Sequence, residues 1–177
     1  MVRIVRNTPL LDRLEKEIKY LQRHGVKVGI FGKAGNKYPL KINNLNSSLI
    51  KRHKSTFRKQ KKRTTIVEYA IYLNEGTIKM PKKPFFYETT GNKESKIIIR
   101  KKQEELLKQV YSGQITGQQC LMQLGIFVTQ RIKNKIMNND YKNSPQRIRQ
   151  KKRNKFNTLR ENDFMLNAVN FEIITLR

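Results

Sequence analysis

Residues 8–32, TPLLDRLEKEIKYLQRHGVKVGIFG, change their apolar period halfway along, and that change sets the fold class. Leu10, Leu14, Ile18 and Leu21 recur every three or four residues, the spacing of one face of a helix. Thr8 has the side chain of an N-cap, Pro9 suits the first helical position, and Gly25 suits the end. From Val26 the period drops to two: Val26, Val28 and Ile30 alternate with Lys27 and Gly29, as in a strand with one buried face. A helix over residues 9–24 therefore runs straight into a strand.

Further along, helices dominate. Thr65 and Glu68 have capping-box spacing, and Ile66, Val67, Ala70, Ile71 and Leu73 form the buried side of a second helix that Gly76 closes. Pro81 and Pro84 predict an extended segment over 77–92. A third helix is expected over about 93–111, with Ile98, Leu106 and Val110 on one side and Gly113 after it. Thr116 and Gln119 repeat the capping box for a fourth helix, about 117–138, striped by Leu121, Leu124, Val128, Ile132 and Ile136. Ser144-Pro145 suits the start of a short helix, and a turn near 161–167 leads to a last strand, where Val169, Phe171 and Ile173 alternate with Asn170, Glu172 and Ile174.

The predicted class is α+β: a small, mostly antiparallel sheet packed against several helices, in a single domain over 1–177, with a long basic loop inserted at about 33–63. The first and last strands should be neighbours, and further strands are candidates in 36–44 or 76–82.

The chain carries 39 Lys and Arg against 13 Asp and Glu, a formal net charge of +26. So large an excess repels itself in a compact fold and calls for a polyanion or an acidic protein partner. No apolar run approaches the roughly 20 residues that span a bilayer, and the N-terminus lacks the apolar core of a signal peptide, so no membrane partner is expected. The single cysteine, Cys120, allows no internal disulfide and suits a reducing compartment.

Two blocks concentrate the charge. Lys51, Arg52, Lys54, Arg58, Lys59, Lys61, Lys62 and Arg63 fill eight positions of 51–63; Arg147, Arg149, Lys151, Lys152 and Arg153 form the second. Neither interleaves aromatics at base-stacking spacing, so contact with nucleic acid would be through phosphates and blind to sequence. A solvated face or an acidic protein surface is the competing reading. The first block has too few apolar residues to offset its own ordering entropy, and is expected to order only on assembly.

Chemistry finds little foothold. His24, His53 and Cys120 lie far apart, without ligand spacing, and read as two surface histidines and a core thiol. Asp12, Asp140 and Asp163 make no acidic cluster of the kind a nuclease uses to hold metal ions. Gly29, Gly32 and Gly35 do not make a phosphate loop. The expectation is a protein with no enzymatic activity, no metal and no cofactor.

Val26-Lys27-Val28-Gly29-Ile30 resembles the V-x-V-G-[IV] opening strand of the tail-completion proteins of tailed bacteriophages, and further segments resemble that family in order. Ile66-Val67-Glu68-Tyr69-Ala70-Ile71-Tyr72-Leu73-Asn74-Glu75-Gly76-Thr77, followed by Met80-Pro81-Lys82-Lys83-Pro84-Phe85-Phe86, resembles its helix, N-E-[FG]-x, P-x-R-P-F-F signature. Here the phenylalanine before Gly76 is missing and Lys83 stands for the usual arginine. Ser144-Pro145-Gln146-Arg147-Ile148-Arg149-Gln150-Lys151 resembles its S-P-x-T-I-x-x-K segment, and Met165-Leu166-Asn167-Ala168-Val169 with Phe171-Glu172-Ile173 its closing motif. The family's D-T-G is replaced by Glu161-Asn162-Asp163-Phe164, and 33–63 is longer and more basic than in the family.

The resemblance implies a structural virion protein of the neck, assembled in the host cytoplasm. It would form a homo-oligomeric ring, six subunits expected and twelve the alternative, between the portal or adaptor and the tail tube or sheath. Genomic DNA would pass through the bore. Pro84, Phe85 and Phe86 would serve as hydrophobic interface or core anchors, and the basic blocks would meet DNA or an acidic partner. The competing class is a cytoplasmic, sequence-independent nucleic-acid-binding protein.

Overall fold

Helix α1 (Pro9–Arg23) passes into strand β1 (His24–Ile30) without a loop. His24 closes the junction: its Nδ1 donates to the Tyr20 carbonyl at 2.9 Å, and its ring stacks on Tyr20 at 4.0 Å. The computed structural model describes residues 9–31, 65–78, 81–142, 159 and 163–176. The other described elements are α2 (Ile66–Glu75), a π-helical turn (Tyr87–Gly91), α3 (Lys93–Tyr111), α4 (Gly117–Met137), the short α5 (Phe164–Ala168) and β2 (Val169–Thr175). β1 and β2 form a two-stranded antiparallel sheet, so the fold is α+β.

The chain divides into two compact units. The first comprises Met1–Gly29, Pro84–Asn139 and Val169–Arg177. In it α4 packs on α1, α3, the π turn and β2. Leu106, Val110 and Cys120 form a buried core, flanked by Leu21, Leu107, Ile115 and Leu124. Further along α4, Val128, Ile132 and Ile136 are buried, as their stripe predicts. The sheet closes this unit: the Leu176 amide donates to the Arg23 carbonyl at 2.7 Å, tying the end of α1 to the end of β2.

The second unit comprises Ile30–Lys83 and Asp140–Ala168. There α2 packs on α5, burying Ile66, Ala70 and Leu73 from one side and Met165 and Ala168 from the other. Lys83 is buried, and its amide donates to the Leu73 carbonyl at 2.8 Å, holding the chain against α2.

Both capping boxes form: Thr65 with Glu68 on α2, and Thr116 with Gln119 on α4. Gly76 and Gly113 follow α2 and α3 with φ of 77° and 75°, which favours glycine at both. Burial in β2 alternates as predicted, Val169 buried, Phe171 and Ile173 half-buried, Asn170 and Glu172 exposed.

Four expectations need correction. Residues 85–91 are helical, not extended, because Pro84 opens a turn: its carbonyl accepts from the Glu88 amide at 2.8 Å. Within 76–82 the described residues form no strand, only an isolated bridge at Thr77. Leu10 and Ile71, expected in the buried stripes, are exposed. Ile98 is also exposed; it sits eight and twelve residues before Leu106 and Val110, about a quarter to a third of a turn off their line. The half-buried residue in line with them is Ile99. Thr8, the segments 36–44 and 33–63, and the Ser144-Pro145 helix lie outside the described residues.

Candidate functional site

The Pro84-Phe85-Phe86 segment leads into the π turn. Phe85 is fully buried, while Pro84 and Phe86 are half-buried. The two rings meet at 4.8 Å and 41°. Phe85 is thus a core anchor. The turn then widens: the Asn92 amide reaches back five residues to the Tyr87 carbonyl at 2.9 Å. Such widening leaves carbonyls without their usual helical donors, and hydroxyls fill in. Thr89 Oγ1 donates to the Phe85 carbonyl at 2.7 Å, and Thr90 Oγ1 to that of Phe86 at 2.7 Å. A Cβ at Gly91 would stand 2.7 Å from the Tyr87 ring, so a larger residue there would displace that ring. Tyr87 itself is exposed.

Two cations of α4 hold the turn. Lys135 Nζ pairs with the Glu88 carboxylate at 2.8 Å. Arg131 Nη2 donates to Ser95 Oγ at 3.2 Å, and Ser95 Oγ donates to the Glu88 carbonyl at 2.6 Å. Asn92 Oδ1 accepts from the Ser95 amide and caps α3. The Arg131 guanidinium also lies over the Phe127 ring at 5.9 Å. This network orders a junction; it holds no nucleophile–base pair. Among the described residues no three His, Cys, Asp or Glu side chains gather as a metal site. Of the metal candidates, His24 is bonded at the end of α1 and Cys120 lies in the core, where burial pushes its thiol pKa up.

The basic blocks, Lys51, Arg52, Lys54, Arg58, Lys59, Lys61, Lys62 and Arg63 with Arg147, Arg149, Lys151, Lys152 and Arg153, lie outside the described residues, as does His53. The charge is nevertheless unevenly divided along the chain. The described residues hold 17 of the 39 Lys and Arg but 12 of the 13 Asp and Glu. The excess of cations therefore belongs mainly to the remaining segments.

Arg131, Lys135, Glu88 and Ser95 were not singled out from the sequence. A signal existed: Arg131 follows Leu124, and Lys135 follows Val128, by seven residues, which puts both cations on the apolar side of α4. The chain matches no family model, no curated protein and no solved structure. The similarity to tail-completion proteins thus rests on the segments themselves.

Proposed function

We propose that this chain is a structural protein of the tailed-phage neck, which forms a ring that completes the tail end and joins it to the head connector, with DNA passing through the bore. The observation that carries this reading is the pairing of β1 with β2. These are the segments that resemble the family's opening strand and closing motif, from opposite ends of the chain, and they are neighbours in one sheet. The Pro84-Phe85-Phe86 segment, the third piece of the resemblance, anchors a built junction in the core rather than a loop.

Charge supports a division of labour. A body with nearly balanced charge suits close subunit contact, whereas cation-rich segments suit phosphates or an acidic neighbour. Phosphate contacts without base contacts hold DNA without selecting a sequence, which a conducting channel requires. The protein acts by assembly and positioning and performs no catalysis.

The test is to add the purified chain to tails that lack it and to image the tail ends by negative stain. The reading expects a ring at one end of the tube and restored joining to filled heads. A monomer that ignores tails and binds DNA tightly would replace it with the cytoplasmic nucleic-acid-binding function.

A further inference from the structure

Between Lys108 and Arg131 no residue is charged, in a chain whose charged fraction is 29%. A random stretch of that length would carry several Lys or Arg. The gap does not simply reflect burial. It covers most of α4, where Gln118, Gln119, Met122, Gln123, Ile126 and Gln130 are all exposed. Helical geometry puts these side chains on one face, with Ile126 near its centre. Ile126 is 53% exposed and Met122 42%. The opposite side of the helix is buried, with Gly125 against Phe171 of β2, so the exposed face is not the one that builds this unit.

We propose that this face of α4 docks a second copy of the same chain, α4 against α4 about a two-fold axis near Ile126. Three observations select that occupant. A copy brings the same net positive charge, so two chains meet with least repulsion where neither presents cations. Ile97 and Ile98 on α3, another exposed apolar pair, are flanked by Lys96, Arg100 and Lys101 and fail that condition. An acidic partner, in turn, would gain nothing from a face without cations. Finally, a glutamine amide both donates and accepts, so a face of glutamines around apolar residues is complementary to itself. Depletion of charge around methionine and aliphatic side chains is also the composition of an interface centre, and methionine adapts its shape to what it meets. The pairing is independent of the neck reading, because it is a property of the chain alone.

The test uses the full chain in solution. Sedimentation should give a pair at moderate concentration, and the pair should tighten as salt rises, because salt screens the repulsion of the remaining charges. A contact made by ion pairs would weaken instead. Met122→Lys with Ile126→Lys places cations on an exposed face; it should give a monomer that still unfolds cooperatively, at a midpoint that no longer depends on protein concentration. Ile126→Cys supplies a thiol that remains informative if the lysine variant misfolds. Cys120 is the one native cysteine and is buried, so under mild oxidant the variant should form a disulfide-linked pair and the parent chain should not. A parent chain that is monomeric at every salt concentration, or no cross-link through position 126, overturns the proposal. So does a monomeric parent chain whose lysine variant loses attachment to tails, which would assign the face to a different protein.

Discussion

The Phe171 ring lies on the backbone of Gly125: a Cβ at position 125 would stand 2.6 Å from Cγ and 2.9 Å from Cε2 of that ring. This contact joins α4 to β2, and only glycine permits it. Gly125→Ala gains up to about 1 kcal/mol of helix propensity. Displacing the ring should outweigh that gain, since overpacking costs about 1–3 kcal/mol. Phe171→Ala should destabilise by up to about 3–5 kcal/mol, at the lower end because the ring is half-buried. The double variant should lose less than the sum, because alanine at 125 no longer meets a ring. Denaturant midpoints of the four proteins check this; additive losses would remove the contact from the account.

Glu17 caps a helix one hundred residues away: its Oε2 accepts from the Gly117 amide at 2.6 Å. A carboxylate there also meets the positive end of the α4 dipole. Glu17→Ala should cost about 1 kcal/mol, and Glu17→Gln less, as an amide oxygen still accepts but carries no charge. Thermal unfolding of both variants is the measurement.

Legibility followed the range of the interactions. Thr65 with Glu68, and Thr116 with Gln119, are three residues apart, so the helix starts could be read directly. The alternation of Val169, Phe171 and Ile173 likewise revealed a strand. The bond from Gly117 to Glu17 has no local signal. Pro81 and Pro84 predicted extended chain, because proline restrains the residue before it; after Pro84 the chain was free to turn, and Thr89 and Thr90 supplied hydroxyls for a wide turn. Ile98 and Ile71 misled because three consecutive isoleucines at 97–99, and a largely apolar α2, leave the period ambiguous. Of the candidate site residues, the structure places Phe85 in the core; Arg131 and Lys135, which bond to Ser95 and Glu88, were marked only by their seven-residue spacing from Leu124 and Val128 along the apolar side of α4.

Burial of Cys120 in the core raises its thiol pKa. Less thiolate forms at a given pH, and thiolate is the reactive species. A thiol reagent at neutral pH should therefore leave the native chain unlabelled and label it fully in denaturant. The sign for stability follows: the folded pKa lies above the unfolded one, so this contribution is intact below the ordinary thiol range and declines as pH rises through it. Cys120→Ala should lack that alkaline decline. Rapid native labelling would contradict the core assignment.

Replacing Lys59, Lys61, Lys62 and Arg63 with Gln removes half of the cations in the first basic block. The unfolding curve should not change. If the block meets DNA, affinity should drop and the salt slope become shallower. If it meets an acidic ring, head–tail joining should fail while DNA affinity holds. Unchanged DNA affinity together with normal joining would make the block a solvated surface.

The central claim concerns where the protein ends up. On the proposed neck reading, purified, DNase-treated virions should contain the chain in a fixed ratio to the tail-tube protein, and antibody-bound gold should mark the junction of head and tail. Absence of the chain from the particles, with all of it in the soluble fraction of infected cells, would contradict the account.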